Sequence, residues 1–162
     1  MKINNSVEFK FSKDLVEYDS AIVFMNSHIN KMKKNNAKEL LWFLEHNSIF
    51  TAGTSAKEID QNIKNKKLIR YVGRGGQWTW HGPGQRVVYI MLDLKQREKD
   101  IKKYINNLEK WVISSLKFFK IDAIVQKGNP GVWVKKNNDF FKIASIGVRI
   151  SHWITWHGIS IN

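Results

Sequence analysis

The run ELLWFLE at residues 39 to 45 sets five apolar side chains between two glutamates with no polar break. A strand with one face in water alternates apolar and polar residues at a period of two, so this unbroken run reads as a strand buried on both faces. Such a strand belongs inside a layered domain, and the rest of the chain must supply the layers. Asn47 and Ser48 turn it into IFTAGTSA, where Gly53 marks a loop. A polar segment with weak helical character then leads to LIRYV at 68 to 72, a short strand, and RVVYIMLDL at 86 to 94 reads as another.

Helical spacing appears twice. Ser12 is placed to cap a helix whose apolar face is Leu15, Tyr18, Ile22, Met25, Ile29 and Met32. Ile101, Tyr104, Ile105, Leu108, Val112, Leu116 and Phe119 keep the same spacing over residues 98 to 120. Downstream, DAIVQ at 122 to 126, GVWVK at 131 to 135 after a turn at GNPG, FKIASIGVRI up to 150 after the polar tip KNND, and WITWHGISIN read as strands. Strands in runs with two helices predict one α+β domain over residues 1–162, a mixed, largely antiparallel sheet backed by two helices.

The net charge of +13 favours acidic partners, although scattered lysines also serve as an ordinary solvated face. With only five arginines and no helix-turn-helix, zinc-finger or RNA-recognition pattern, nucleic acid is not an expected partner. MKINNSVEFKF lacks the apolar core of a signal peptide, and no apolar run approaches the ~20 residues that span a bilayer. A cytoplasmic protein without a membrane partner is expected. The sequence contains no cysteine, which excludes a thiolate metal site and any thiol nucleophile of its own, and no metal is expected.

Between the strands at 68 and 86 lies RGGQWTWHGPGQ, which fits neither the P-loop nor the dinucleotide glycine pattern. Glycine here permits positive φ and lets a ligand lie against main-chain N–H groups. Arg74 offers a fixed fork for a carbonyl, carboxylate or phosphate, Trp78 and Trp80 alternate as walls of an apolar slot, and Thr79 and His81 add polar contacts. Physically, a tight turn with buried tryptophans and a structural histidine fits as well as a ligand loop.

The order Arg74, Gly75, Gly76, Thr79, Trp80, His81, Gly84, Gln85, Val87, Tyr89 resembles the signature of the lipoyl(octanoyl)transferase family, relatives of the lipoate ligases and biotin protein ligases. The likeness extends through LLWFLEHNSIFTAGTSA, YIMLDL, GNPGVWVKKN and KIASIGVRISHWITWHGISIN, covering about residues 37 to 162. It implies a biotin/lipoate protein ligase-like fold and transfer of an octanoyl or lipoyl group from acyl carrier protein to a lysine of lipoyl domains. Lys142 matches the lysine that lowers the pKa of a nucleophilic cysteine. Arg74, Gly75, Gly76, Gln77, Trp78, Thr79, Trp80, His81, with Ser145, Ile146, Gly147 and Gly158, Ile159, Ser160, match the acyl-binding segments. Gly147 and Gly158 are expected to leave room for the acyl chain.

No cofactor is implied, because the acyl group arrives on the phosphopantetheine of acyl carrier protein. The implied partners are that acidic carrier and the lipoyl domains of 2-oxoacid dehydrogenase and glycine cleavage proteins. The family carries its Pro-Cys-Gly-Ile nucleophile beyond the His-Gly segment, whereas this sequence stops at Asn162 without a cysteine. A C-terminally shortened domain with its covalent step impaired is therefore expected, with an apolar surface and open edge near GISIN that favour association. The alternatives are a non-catalytic acyl or carrier-domain binding module and a lipoate-ligase-like enzyme that uses ATP.

Overall fold

The computed structural model describes residues 7–57 and 68–162, so most of the polar segment expected to have weak helical character lies outside the described residues. A short strand β1 (Glu8–Phe11) precedes helix α1 (Tyr18–Lys33). Strands β2 (Leu40–Leu44), β3 (Ile49–Ala52), β4 (Ile69–Tyr71), β5 (Trp78–His81) and β6 (Arg86–Met91) follow. Helix α2 (Ile101–Phe118) leads into β7 (Ile124–Gln126), β8 (Asn129–Lys136), β9 (Asp139–Ser151) and β10 (Ile154–Ile161).

Seven strands form one sheet in the order β1-β2-β6-β10-β9-β8-β7, antiparallel except for the β1–β2 pair. A smaller sheet runs β4-β3-β5, with β3 parallel to β4 and antiparallel to β5. The α+β expectation therefore holds: two helices on a mixed, largely antiparallel sheet.

The alternation within β6 explains the layering. Val87, Tyr89 and Met91 point to a core with Ala21, Met25, Ile29 and Met32 of α1, while Val88 and Ile90 point to a core with Leu108, Val112 and Leu116 of α2. The helices cover opposite faces, which is why β2 and β6 carry apolar residues at nearly every position. Leu40, Trp42 and Leu44 are buried on the α1 side, and Leu41 and Phe43 are partly buried on the α2 side.

Several local expectations are corrected. Ser12 does not cap α1; the helix starts after Glu17, and the Ser12 Oγ instead accepts from the Trp42 indole N–H at 2.9 Å. Leu15 falls outside the helix and is exposed, as are Ile101 and Phe119 at the ends of α2. Asp100 caps α2 by accepting from the Lys103 N–H at 2.9 Å. The turn before β8 is at Lys127 and Gly128, and Asn129 to Gly131 already belong to the strand. β10 is no edge: it lies between β6 and β9, paired on both sides, so the open edge expected near GISIN is absent. The described edges of this sheet are β1 and β7, and those of the small sheet β4 and β5.

Candidate active site

The glycine-rich stretch is divided between the two sheets. Its centre, β5, pairs with β3, while its flanks lead from β4 of the small sheet to β6 of the large one. The crossing between the sheets leaves a cavity of about 460 Å³. From this stretch Arg74, Gly76, Gln77, Trp78, Thr79 and His81 line it, with Lys142, Ser145, Ile146 and Gly147 from β9 and Gly158, Ile159 and Ser160 from β10. Segments far apart in the chain thus converge because β9 and β10 form a hairpin in which Ser145 pairs with Ser160 and Gly147 with Gly158.

Gly75 and Trp80 stand apart from the cavity. The Gly75 N–H donates to the Val148 carbonyl at 3.0 Å, stitching the loop to β9. The Trp80 indole covers Gly82 and is 39% exposed, so the two alternating tryptophans do not wall one slot. Trp78 alone faces the cavity, anchored by its indole N–H to the Lys57 carbonyl at 3.0 Å.

Arg74 is buried, and its guanidinium is largely committed to the protein. Nη2 donates to the Thr51 carbonyl (2.9 Å) and Thr51 Oγ1 (2.6 Å), and Nη1 to the Gly75 carbonyl (3.0 Å). Its side chain passes over Gly147, where a Cβ would come within 2.9 Å of the Arg74 Cδ. A Cβ at Gly158 would meet the Val88 carbonyl at 2.2 Å. Both glycines are therefore required by close approach of the protein's own groups.

Lys142 extends along Gly131, which has φ +109 and whose added Cβ would approach the Ala144 carbonyl to 2.6 Å and the lysine stem to 3.3 Å. Its ammonium lies 4.8 Å from the centre of the Trp133 ring, and partial burial holds its pKa below the ordinary lysine value. Among the described residues no carboxylate lines this cavity, and the cations that line it are Arg74 and Lys142, so it suits a carbonyl or carboxylate with an apolar tail.

Sequence reasoning named His81 and Tyr89 but missed the buried rings that join them at the other end, Tyr18, His46 and His157. The His46 Nδ1–H donates to the Val16 carbonyl (2.6 Å), leaving Nε2 to accept from the Tyr89 hydroxyl (2.7 Å). The Gln85 amide N–H groups are held by the Trp80 carbonyl and Asn162 Oδ1, so its Oε1 accepts from His81 Nδ1 at 2.7 Å. Burial lowers the pKa of His46, brings that of His81 to about 4 and that of His157 to about 3, and raises Tyr18 to about 12. At neutral pH these imidazoles and phenols are uncharged around a charged guanidinium.

His157 is the unusual member. Ile154 and Trp156 face the α1 core and Ile159 and Ile161 the α2 core, as regular alternation along one strand requires. His157 alone departs from this alternation, with φ +58 in the middle of β10. This left-handed backbone places its imidazole beside Trp156 (5.0 Å between ring centres) and Tyr89 (6.1 Å), on the cavity side. A non-glycine residue at positive φ inside a strand costs on the order of 1–3 kcal/mol and persists only where its surroundings hold it. Alternation alone sends residue 157 to the other face, and no local signal marks the reversal.

Solved structures show the fold class. The chain superimposes on a bi-partite lipoate protein ligase from Thermoplasma acidophilum with a TM-score of 0.67 at 15% identity, covering 96% of this chain and 62% of that one. The P. falciparum LipL1 structure in complex with lipoate gives a TM-score of 0.69 at 15% identity, covering 96% and 48%. The fold is thus that of the biotin and lipoate protein ligases. Residues 17–162 match the family model described as the lipoyl protein ligase A/B catalytic domain, and the chain belongs to that family. It is 45% identical over 168 residues to a protein of Bartonella quintana (strain Toulouse) named octanoyltransferase, covering 98% of this chain and 69% of that protein. A protein of Anaplasma phagocytophilum (strain HZ) with the same name is 43% identical over 157 residues, covering 96% and 76%. The chain spans less than two thirds of each of these two ligase structures.

Proposed function

We propose that this chain binds an octanoyl or lipoyl group in the cavity between its sheets and serves its transfer from acyl carrier protein to a lysine of lipoyl domains. The observation that carries the reading is the convergence of Lys142 with the segments at Arg74–His81, Ser145–Gly147 and Gly158–Ser160 around one cavity that no carboxylate lines among the described residues. The names of the curated relatives support the octanoyl group, and the Thermoplasma structure, described with its E2 lipoyl domain, supports the acceptor class.

In this reading Ile146, Ile159 and Val87 line the path of the apolar tail, and Arg74 holds the glycine-rich loop against β3 and β9. Lys142 stands at the acyl carbonyl, where an ammonium group stabilises both a thiolate and the developing oxyanion. The family's thioester needs a cysteine sulfur that none of these 162 residues supplies. The chain itself therefore binds and orients the acyl group, and the covalent step depends on a thiol from outside these residues. The net charge of +13 steers acidic carrier and acceptor domains to it.

The test mixes the purified protein with octanoyl-acyl carrier protein and an apo lipoyl domain, following carrier binding by calorimetry and the acceptor by mass. Carrier binding is expected, weakened about tenfold by Arg74→Lys, which keeps the charge and loses the fork. Octanoyl carrier that binds no better than the free carrier would overturn the reading. An adduct formed only from free octanoate and ATP would replace transferase chemistry with that of a ligase.

A further inference from the structure

A second cavity, also about 460 Å³, lies beyond the ring cluster, between α1, β4 and the turn end of the β9–β10 hairpin. Ile22, Ile29, Val72 and Trp156 give it an apolar wall, while Asn26, Arg149, Lys33 and the exposed Asp19–Arg70 ion pair make the rest of its lining polar. Two residues border both cavities, Tyr18 and His157. They stand at the opposite end of the first cavity from Lys142, since His157 pairs with Val148, six positions along β9 (148 − 142). A tail whose carbonyl is at Lys142 meets them with its methyl end.

Both residues are fixed in place. Tyr18 is 3% exposed and packs on His46 and His81 with ring centres 5.2 and 6.2 Å away. His157 is 3% exposed and is turned into this position only by its left-handed backbone, at φ +58. A strained residue separating two cavities is a wall maintained against a local preference.

We propose that Tyr18 and His157 form a partition that limits acyl-chain length, and that the second cavity is an extension pocket which accepts longer apolar chains once the partition is opened. This rests on the acyl-cavity reading above. His157→Gly is the chosen variant, because glycine relieves the positive φ while removing the imidazole. His157→Asn, tolerant of the same backbone, guards against loss of folding.

The experiment measures calorimetric affinities for octanoate and tetradecanoate. Wild type is expected to prefer octanoate. In His157→Gly the ratio of tetradecanoate to octanoate affinity should rise at least about tenfold, a fraction of what full burial of the added methylenes would give. His157→Asn should give a smaller rise. Adding Ile22→Phe, which fills the second cavity from α1, should cancel the gain. A wild type that binds both acids equally, an unchanged ratio in both variants, or a gain that survives Ile22→Phe would each overturn the partition while leaving the acyl cavity standing. Failure of every form to bind octanoate would remove the acyl-cavity reading and the partition with it.

Discussion

The two faces of the seven-stranded sheet are built to different ends. Under α2, Leu108, Val112 and Leu116 meet Val88, Ile90, Val132 and Ile159 in an apolar core that bears no part of the candidate site except Ile146 and Ile159. Under α1, Met25, Ile29 and Met32 make a similar core at one end, but towards the start of the helix it gives way to Tyr18, His46, His81, Tyr89, His157 and Arg74 around a cavity. The second arrangement costs stability. Buried polar groups need partners, a cavity forfeits packing, and His157 keeps a disfavoured backbone. The difference teaches that the α2 face supplies much of the stability on which the α1 face can maintain its site.

That contrast can be broken first by acid. His81 and His157 have native pKa values of about 4 and 3 against the ordinary 6.5, so the unfolded chain binds more protons between those values. Their contribution is full above pH 6.5 and is lost as pH falls towards the native values, on the order of 6 kcal/mol by pH 4. Urea midpoints across this range measure it, and His157→Asn should flatten the profile. A flat wild-type profile would mean that the α1 face does not bury neutral imidazoles.

Leu108→Ala sharpens the contrast from the other side. It should cost about 3 kcal/mol by denaturant unfolding, in line with buried leucine truncations. Because Leu108 does not line the cavity, octanoate affinity of the folded variant should stay within about twofold. A large loss of affinity in a folded variant would show that the faces are coupled. The smallest effect is expected from Asp100→Ala at the start of α2, about 1 kcal/mol from one lost cap, with acyl binding unaffected.

Much of the site was legible as sequence because its residues fall in short motifs whose order resembles that of one family. The cavity gathers Arg74, Lys142, Ser145 and Gly158 as that order implied. The rings at its far end were not legible. Tyr18 reads as one more apolar position on a helix, and His46 falls unremarked between a buried strand and its turn. Trp80 illustrates the reverse: its alternation with Trp78 is real, yet its ring covers Gly82. The expected edge at GISIN failed for a related reason, since the last strand in sequence is a middle strand in space.

The sequence by itself determined the two helices and most of the strands, though not β1, β3 or β5, since periodicity, turn residues and apolar runs act over a few residues. It also carried the family pattern. Tertiary structure alone decided that the helices take opposite faces, that β1 joins the sheet beside β2, and that Arg74's fork is spent on Thr51 and Gly75. It also decided that His157 turns against its strand. Each of these follows from contacts between segments tens of residues apart, whose energies exceed the local preferences that a short window of sequence records.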